Sequence, residues 1–377
     1  MKIFVVELEP THYKIDLWNQ VSFDLEELFL VYSERKNWLS DGGHNYLKFP
    51  KTFFNYSTYR GKGFWGKIYA SLMILINLNK YKPELTYIAG YVHFQTLVSI
   101  FYCLVFKKKF VVHADIFNNF LPDGSFKHLK FYFRELIRKI IFTHANYIFV
   151  CGKRGIETAK IAGCPIEKIK NFPYCVSKER IMSDSPSEIP KNCISDLEAD
   201  KIIIFFSGRM IERKGLKVLL ESLSKLITNK PWIAWIEGDG PELENYRDYT
   251  KTLNIEGKCR FLGFCQFDMH SWLIRSSDIV IVPSYKDSWG IVVDEGIQLG
   301  KIVISSSAVG SSYDRINNNF NGIIFHSGDS KNLATKITKV LEDEKYSNFL
   351  SSNAKASALN ITPKDNSNLL CSLIENG

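Results

Sequence analysis

Three glycine-containing stretches in the second half of the 377-residue chain each follow an apolar, strand-like run and open a helical pattern. The first, Phe206-Ser207-Gly208-Arg209-Met210-Ile211-Glu212-Arg213-Lys214-Gly215, sets Arg209 and Lys214 beside a helix beginning near Gly215, with Gly208 permitting a tight turn. A guanidinium fork and an ammonium point charge at such a place suit a diphosphate; a solvated basic turn is the plainer alternative. The second, Ile236-Glu237-Gly238-Asp239-Gly240-Pro241, has two glycines and a proline, so backbone around Gly238 can approach a ligand closely. A plain turn is again the alternative, and no further ligand cluster turns Glu237 and Asp239 into a metal pair. No metal is expected.

The third stretch runs from Val282 through Pro283-Ser284-Tyr285-Lys286-Asp287-Ser288-Trp289-Gly290-Ile291-Val292 to Glu295. A helix starting near Gly290 offers amides and a positive dipole end to phosphate oxygens. Glu295 lies about one turn inside, where a carboxylate could accept from vicinal sugar hydroxyls, and Asp287 stands eight positions earlier in the loop. Capping by Asp287 or Ser288, with Glu295 on the surface, is the competing reading.

These loops need strands and helices to hold them. In the first half, strands are expected at Lys2–Leu8, Glu27–Tyr32, Leu85–Tyr91, Phe110–His113 and Tyr147–Cys151, with helices at 65–79, 94–106 and 127–143. Alternation restarts after the polar, proline-containing run 183–190, with strands beginning at Ile202, Trp232, Arg260, Ile279, Ile302 and Gly322. Apolar strands separated by helices favour parallel sheets covered on both faces. The helix 215–228 would turn Leu216, Leu219, Leu220, Leu223 and Ile227 inward. Two doubly wound α/β domains follow: 1–176, 177–360, and a C-terminal helix in 361–377 that packs back on the first domain, with a ligand cleft between the domains.

Composition agrees with this class. Apolar residues make 45% and charged residues 23% of the chain, which excludes disordered and fibrous chains. Eight scattered cysteines without a CxxC read as reduced thiols of a cytosolic protein, and the early charges Lys2 and Glu7 argue against a signal peptide. Segment 51–180 carries 21 basic and 7 acidic residues against a net charge of +8 for the whole chain, an affinity for anions confined to one half. The uncharged run 85–106 before Lys107-Lys108-Lys109 is long enough to suggest a membrane span, but it divides into a strand and a helix. On helix 127–143, Lys127, Lys130, Arg134 and Arg138 share one face, with Phe133, Leu136 and Ile140 opposite. That predicts either a solvated helix packed on the sheet or a basic surface resting on anionic lipid.

The order GR-x4-KG, EGDGP, FLGF at Phe261–Phe264 and PS-x2-D-x-WG-x4-E resembles the C-terminal domain of family 4 glycosyltransferases of the GT-B fold, over about 201–343. The resemblance implies a nucleotide-sugar donor site in that domain. Arg209 and Lys214 would contact the diphosphate, Glu295 the ribose, and Asp287 with the Ser288-Trp289-Gly290 backbone the donor sugar. Gly208 and Gly238 would line the site, and the Ile291 and Val292 amides would meet the phosphates. Asp287 replaces the first Glu of the family's E-x7-E motif, and Glu295-Gly296-Ile297 replaces its Glu-Ala-Met. In the first half, Asn171-Phe172-Pro173 resembles the strand leading into the family's hinge. His113 or Asp115 stands where such enzymes place a cleft-facing His or acid; a structural histidine and a helix cap are the alternatives.

The resemblance implies a retaining, metal-independent glycosyltransferase without a bound cofactor, using a UDP- or GDP-sugar. Its acceptor would be a glycan, plausibly lipid-linked, in surface polysaccharide, O-antigen or capsule synthesis. The enzyme would be cytoplasmic, in peripheral contact with an anionic inner membrane, and would not bind nucleic acid. A nucleotide-sugar epimerase of GT-B shape and a nucleic-acid-binding protein using the basic half are the rival expectations.

Overall fold

The computed structural model describes residues 2–8, 11–25, 27–32, 54–58, 63–117, 125–183, 185–358 and 362–375. It divides into two compact units, Met1–Tyr174 with Pro363–Gly377, and Cys175–Thr362.

The first unit is built on β1 (Lys2–Glu7), β2 (Glu27–Tyr32), β3 (Phe54–Thr58), β4 (Leu85–Ala89), β5 (Phe110–His113), β6 (Tyr147–Val150) and β7 (Ile169–Asn171). They form one parallel sheet in the order β3-β2-β1-β4-β5-β6-β7. Strand side chains alternate between two cores. Phe4 and Val6 join Ile74, Tyr102 and Ile141 under helices Gly63–Tyr81, Phe94–Val105 and Ser125–His144. Ile3 and Val5 join Trp18 and Leu370 under helices His12–Asp24 and Pro363–Glu375. The C-terminal helix is tied down by Asn366 Nδ2 donating to the Pro173 carbonyl at 2.7 Å and by the 2.8 Å Lys364–Asp24 ion pair.

The uncharged run 85–106 resolves into β4 and a 12-residue helix, and among the described residues no helix is long and apolar enough to cross a membrane. One expectation is reversed. Arg138, assigned to the outer cationic face, is 7% exposed and paired with Glu135, whereas Phe133 and Leu136, assigned to the sheet side, are exposed. Sequence periodicity separates two faces of a helix but does not say which one points inward. The side chains of Lys127 and Lys130 lie outside the described residues.

The second unit contains β8 (Ile202–Ser207), β9 (Trp232–Glu237), β10 (Cys259–Gly263), β11 (Ile279–Val282), β12 (Ile302–Ser306) and β13 (Ile323–Phe325). All pair in parallel, in the order β10-β9-β8-β11-β12-β13. The chain winds outward from the β8–β11 junction in both directions, so the loops after β8 and β11 part there and open a crevice at the strand carboxyl ends. The helix after β8 spans only Leu216–Leu223; Ile227, expected on its inner face, is exposed because Lys225 and Leu226 close the helix with short turns.

Candidate functional site

The loops following β8, β9 and β11 are joined by backbone contacts that a Cβ would prevent. A Cβ on Gly215, at φ +71°, would stand 2.1 Å from the Pro283 carbonyl oxygen. One on Gly238, at φ +129°, would stand 1.9 Å from the Gly208 carbonyl oxygen. Gly208 N donates to the Glu237 carbonyl at 3.1 Å, and Tyr285 N to the Arg213 carbonyl at 2.9 Å. The three loops therefore form one framework. Gly208 is not among the positive-φ glycines; it supplies the carbonyl on which Gly238 sits.

This framework brings the second-half residues together. Lys214 Nζ lies 2.6 Å from Asp287 Oδ2, and Arg213 reaches the same carboxylate at 3.9 Å while donating to the Lys286 carbonyl at 2.6 Å. Lys214 thus has a carboxylate partner, and the basic contribution of Arg213 was not anticipated. Arg209 is exposed, with no ion pair among the described residues. The Asp287 backbone is held by the loop after β12, its N–H donating to Ala308 at 3.2 Å and its carbonyl accepting from Gly310 at 3.1 Å. Gly290, the left-handed N-cap of helix Ile291–Gln298, lies close enough to Asp287 that a Cβ there would be 3.8 Å from its Cγ. The first-turn amides, those of Ile291 and Val292, have no carbonyl four residues back to bond. Ammonium, carboxylate and helix tip therefore converge. Ser288 is half-buried in this loop, but the Trp289 side chain is packed inside, which leaves its backbone as the part that could meet a ligand.

Glu295 is not a surface residue. It is 1% exposed, and its Oε2 accepts from His270 Nε2 at 3.1 Å while His270 Nδ1 donates to Glu237 Oε2 at 2.7 Å. Burial alone would strip the His270 proton, but the two carboxylates outweigh it and hold the imidazole charged, with its pKa well above the usual histidine range. His270 escaped the sequence reading, and Glu237 was weighed there only as half of a metal pair. A polar residue on the buried stripe of Phe267, Ser271, Leu273 and Ile274 was the available signal. Glu237 and Asp239 do not form a metal pair: Glu237 is buried on His270, and Asp239 is exposed, accepting from the Gly240 amide at 2.7 Å. The neighbouring Asp294 pairs with Arg315 and accepts from Val176 N at 3.3 Å, and burial lifts its pKa to about 6.

His113 and Asp115 stand in the first unit, at the carboxyl end of β5. His113 is buried, its Nδ1 on the Tyr87 hydroxyl and its Nε2 3.4 Å from Cys151 Sγ. Asp115 Oδ1 accepts from the Tyr174 hydroxyl at 2.7 Å and lies 4.0 Å from Cys151 Sγ. Burial drops the His113 pKa to about 4, only partly opposed by Asp115. Beside them Lys14 pairs with the fully buried Glu7 at 2.5 Å. Burial works against the Lys14 charge, but Glu7 more than compensates and raises its pKa. The ligand atoms of His113, Asp115 and Cys151 lie within 4.8 Å of one another, a spacing and chemistry that could take a zinc-like cation.

Comparison with known proteins finds similar sequences and folds. The family model for glycosyl transferases group 1 matches residues 192–357. An uncharacterized glycosyltransferase of Methanocaldococcus jannaschii, MJ1607, is 30% identical over 159 residues, 42% of this chain and 40% of that protein. The N,N'-diacetylbacillosaminyl-diphospho-undecaprenol alpha-1,3-N-acetylgalactosaminyltransferase of Campylobacter jejuni is 29% identical over 236 residues, 63% of this chain and 59% of its own length. The chain thus spans about two-fifths of the first of these relatives and three-fifths of the second. Anabaena Alr3699/HepE, solved in complex with UDP, superposes over 100% of both chains with a TM-score of 0.79 at 17% identity. At that identity the likeness shows a shared fold, the GT-B class of two doubly wound parallel sheets. Over residues 192–357 the chain resembles the group 1 glycosyl transferases.

Proposed function

We propose that this protein is a retaining glycosyltransferase, moving a sugar from a nucleoside diphosphate sugar, UDP- or GDP-linked, to a hydroxyl of a lipid-linked glycan. The work would be done at the cytoplasmic face of a membrane, in surface-polysaccharide synthesis. The observation that carries this reading is the convergence of Lys214, Asp287 and the Gly290 helix tip at the β8–β11 switch. As the donor bond breaks, negative charge grows on the β-phosphate. Lys214, Arg209 and the Ile291 and Val292 amides are the groups that would meet it, an electrostatic contribution requiring no metal. Glu295 would accept from the ribose hydroxyls, and Asp287 would face the donor sugar. His113 and Asp115 would serve the sugar or acceptor side. The retaining course rests on the family resemblance.

The uses printed for two relatives support the substrate classes: UDP for HepE and an undecaprenol-linked acceptor for the Campylobacter enzyme. The epimerase and nucleic-acid readings gain nothing from these relatives. Thermal-shift screening with UDP and GDP, followed by transfer assays with the sugars of the stabilising base, tests the proposal. Arg209→Ala/Lys214→Ala is expected to lower kcat/KM by roughly a hundredfold or more. Near wild-type transfer by that double variant would overturn the diphosphate assignment.

A further inference from the structure

The carboxyl ends of β5 and β6 bring three metal-ligating side chains of different chemistry to one point in the first unit. His113 ends β5, Asp115 follows it, and Cys151 follows β6 as the N-cap of helix Gly152–Ile161. Backbone contacts fix the juxtaposition: Ala114 N donates to the Phe149 carbonyl at 2.9 Å, and Cys151 N to the Asp115 carbonyl at 3.2 Å. Gly155, in the first turn of that helix, packs so closely that a Cβ would stand 2.8 Å from the Asp115 carbonyl oxygen. The three side chains are thus presented by packed strand ends and a helix start, the kind of rigid support a metal site needs.

A tetrahedral ion with nitrogen at about 2.0 Å and sulfur at about 2.3 Å sets those two atoms about 3.5 Å apart. His113 Nε2 and Cys151 Sγ are 3.4 Å apart, and Cys151 Sγ lies 4.0 Å from Asp115 Oδ1. The ligand atoms of all three lie within 4.8 Å of one another. Closing them around an ion therefore takes a contraction of at most about 1.5 Å. Asp115 is half-buried whereas His113 and Cys151 are buried, so its carboxylate marks the side from which an ion enters. The surroundings favour ligation. His113 Nδ1 sits on the Tyr87 hydroxyl, which turns Nε2 toward the thiol, and the Tyr174 hydroxyl donates to Asp115 Oδ1 at 2.7 Å. Outer hydrogen bonds of this kind hold metal ligands in orientation. A place at a helix N-terminus favours the Cys151 thiolate. Imidazole nitrogen, thiolate and a single carboxylate suit zinc and its neighbours, whereas magnesium and calcium select oxygen ligands.

We infer that His113, Asp115 and Cys151 form a binding site for a thiophilic divalent cation of the zinc class, with water completing the coordination. Uptake breaks the Cys151 S–H bond, forms a metal–sulfur bond from the freed sulfur pair and releases the proton to solvent, with no change of oxidation state. One consequence rests on the proposed function: His113 and Asp115 there serve the sugar or acceptor side, so a bound ion withdraws both and inhibits transfer. The binding itself does not depend on that reading. Untagged full-length protein, freed of metal with a chelator, is titrated with Co(II) and then Zn(II) in thiol-free buffer. A thiolate-to-cobalt charge-transfer absorption in the near ultraviolet should saturate at a single equivalent, be displaced by zinc and survive excess magnesium. Cys151→Ser should lose that absorption and bind zinc about a hundredfold or more weakly, and Tyr87→Phe, which removes only an outer hydrogen bond, should weaken binding about tenfold. Cys265→Ser/Cys371→Ser, which alters the two thiols that are not fully buried, should leave the titration unchanged. Far-ultraviolet circular dichroism checks the fold of each variant.

No charge-transfer absorption in the wild type, an undiminished one in Cys151→Ser, or its loss in Cys265→Ser/Cys371→Ser would overturn the proposal. Transfer assays separate it from the glycosyltransferase reading. Zinc should inhibit the wild type and inhibit Cys151→Ser at least about tenfold less, each measured against its own metal-free rate. Zinc bound without inhibition would remove His113 and Asp115 from the sugar or acceptor side and leave the metal site standing. Absence of transfer by the metal-free wild type would count against the glycosyltransferase reading alone.

Discussion

Among the described residues each unit buries one histidine near the carboxyl ends of its sheet, and the two are held in opposite charge states. His270 is 8% exposed and His113 4%, so depth does not separate them. Burial pushes both toward the neutral form. In the second unit two carboxylates, Glu237 and Glu295, outweigh that push and keep the imidazolium. In the first unit the near partners are a phenol and a thiol, with Asp115 acting only through the field, and the proton is lost. The second unit therefore keeps anionic acceptors beside a site whose other members are Lys214 and a helix tip. The first presents a neutral imidazole among tyrosines. On the proposed reading, the charged arrangement faces the nucleotide and the neutral one a sugar or acceptor.

The sharpest way to break the comparison is to remove the cation. His270→Ala leaves Glu237 and Glu295 buried without their shared counter-charge and should cost about 3–5 kcal/mol in urea unfolding at pH 6. A folded-state pKa above the unfolded value means the stabilisation is complete below the unfolded histidine pKa and fades as pH rises through the folded one. The cost of His270→Ala should accordingly shrink at alkaline pH. A pH-independent cost below about 1 kcal/mol would mean that the triad is not an ionic unit.

The opposite slope is expected of His113. Its folded pKa of about 4 lies below the unfolded value near 6.5. Above pH 6.5 neither state is protonated and the group contributes nothing. Between pH 6.5 and 4 the unfolded chain takes up a proton that the native one refuses, so stability falls by roughly 3 kcal/mol as acid is added. His113→Gln should remove that portion of the acid sensitivity. Parallel stability–pH curves for the two proteins over this window would refute the neutral assignment.

The two clusters differ from the loops in how far the sequence revealed them. Each loop is contiguous: glycine and helix start, with a cation in the loops after β8 and β11, lie within about ten residues after a buried strand, so local chemistry exposes them. His270 is 33 residues from Glu237 and 25 from Glu295, and Cys151 is 38 from His113. Such partners meet only through strand order, which the sequence implies as a class but not as a register. The same limit explains the misplaced faces of helix Ser125–His144. Periodicity does not say which face turns inward, and here Phe133 is exposed while Arg138 is buried. β3 was missed for a different reason: Phe54-Asn55-Tyr56-Ser57-Thr58 is short and half polar, and its strand character comes from pairing with β2.

The smallest effect should come from Cys151, and it bears on what keeps His113 neutral. Cys151 Sγ lies 3.4 Å from His113 Nε2 and 3.8 Å from the Phe172 carbonyl oxygen. In Cys151→Ser the shorter Cβ–O bond draws the polar atom back by a few tenths of an ångström, but the hydroxyl can still donate to one of these acceptors. Stability should change by no more than about 1 kcal/mol. Because burial is the largest influence on His113, its titration, followed by NMR of the ring protons, should remain far below the ordinary histidine range. A return of that titration to near 6.5 with the fold intact would show that the thiol contact, and not burial, sets the neutral state. The contrast with His270 would then rest on two specific partners instead of on a shared cost of burial tipped by carboxylates in one unit alone.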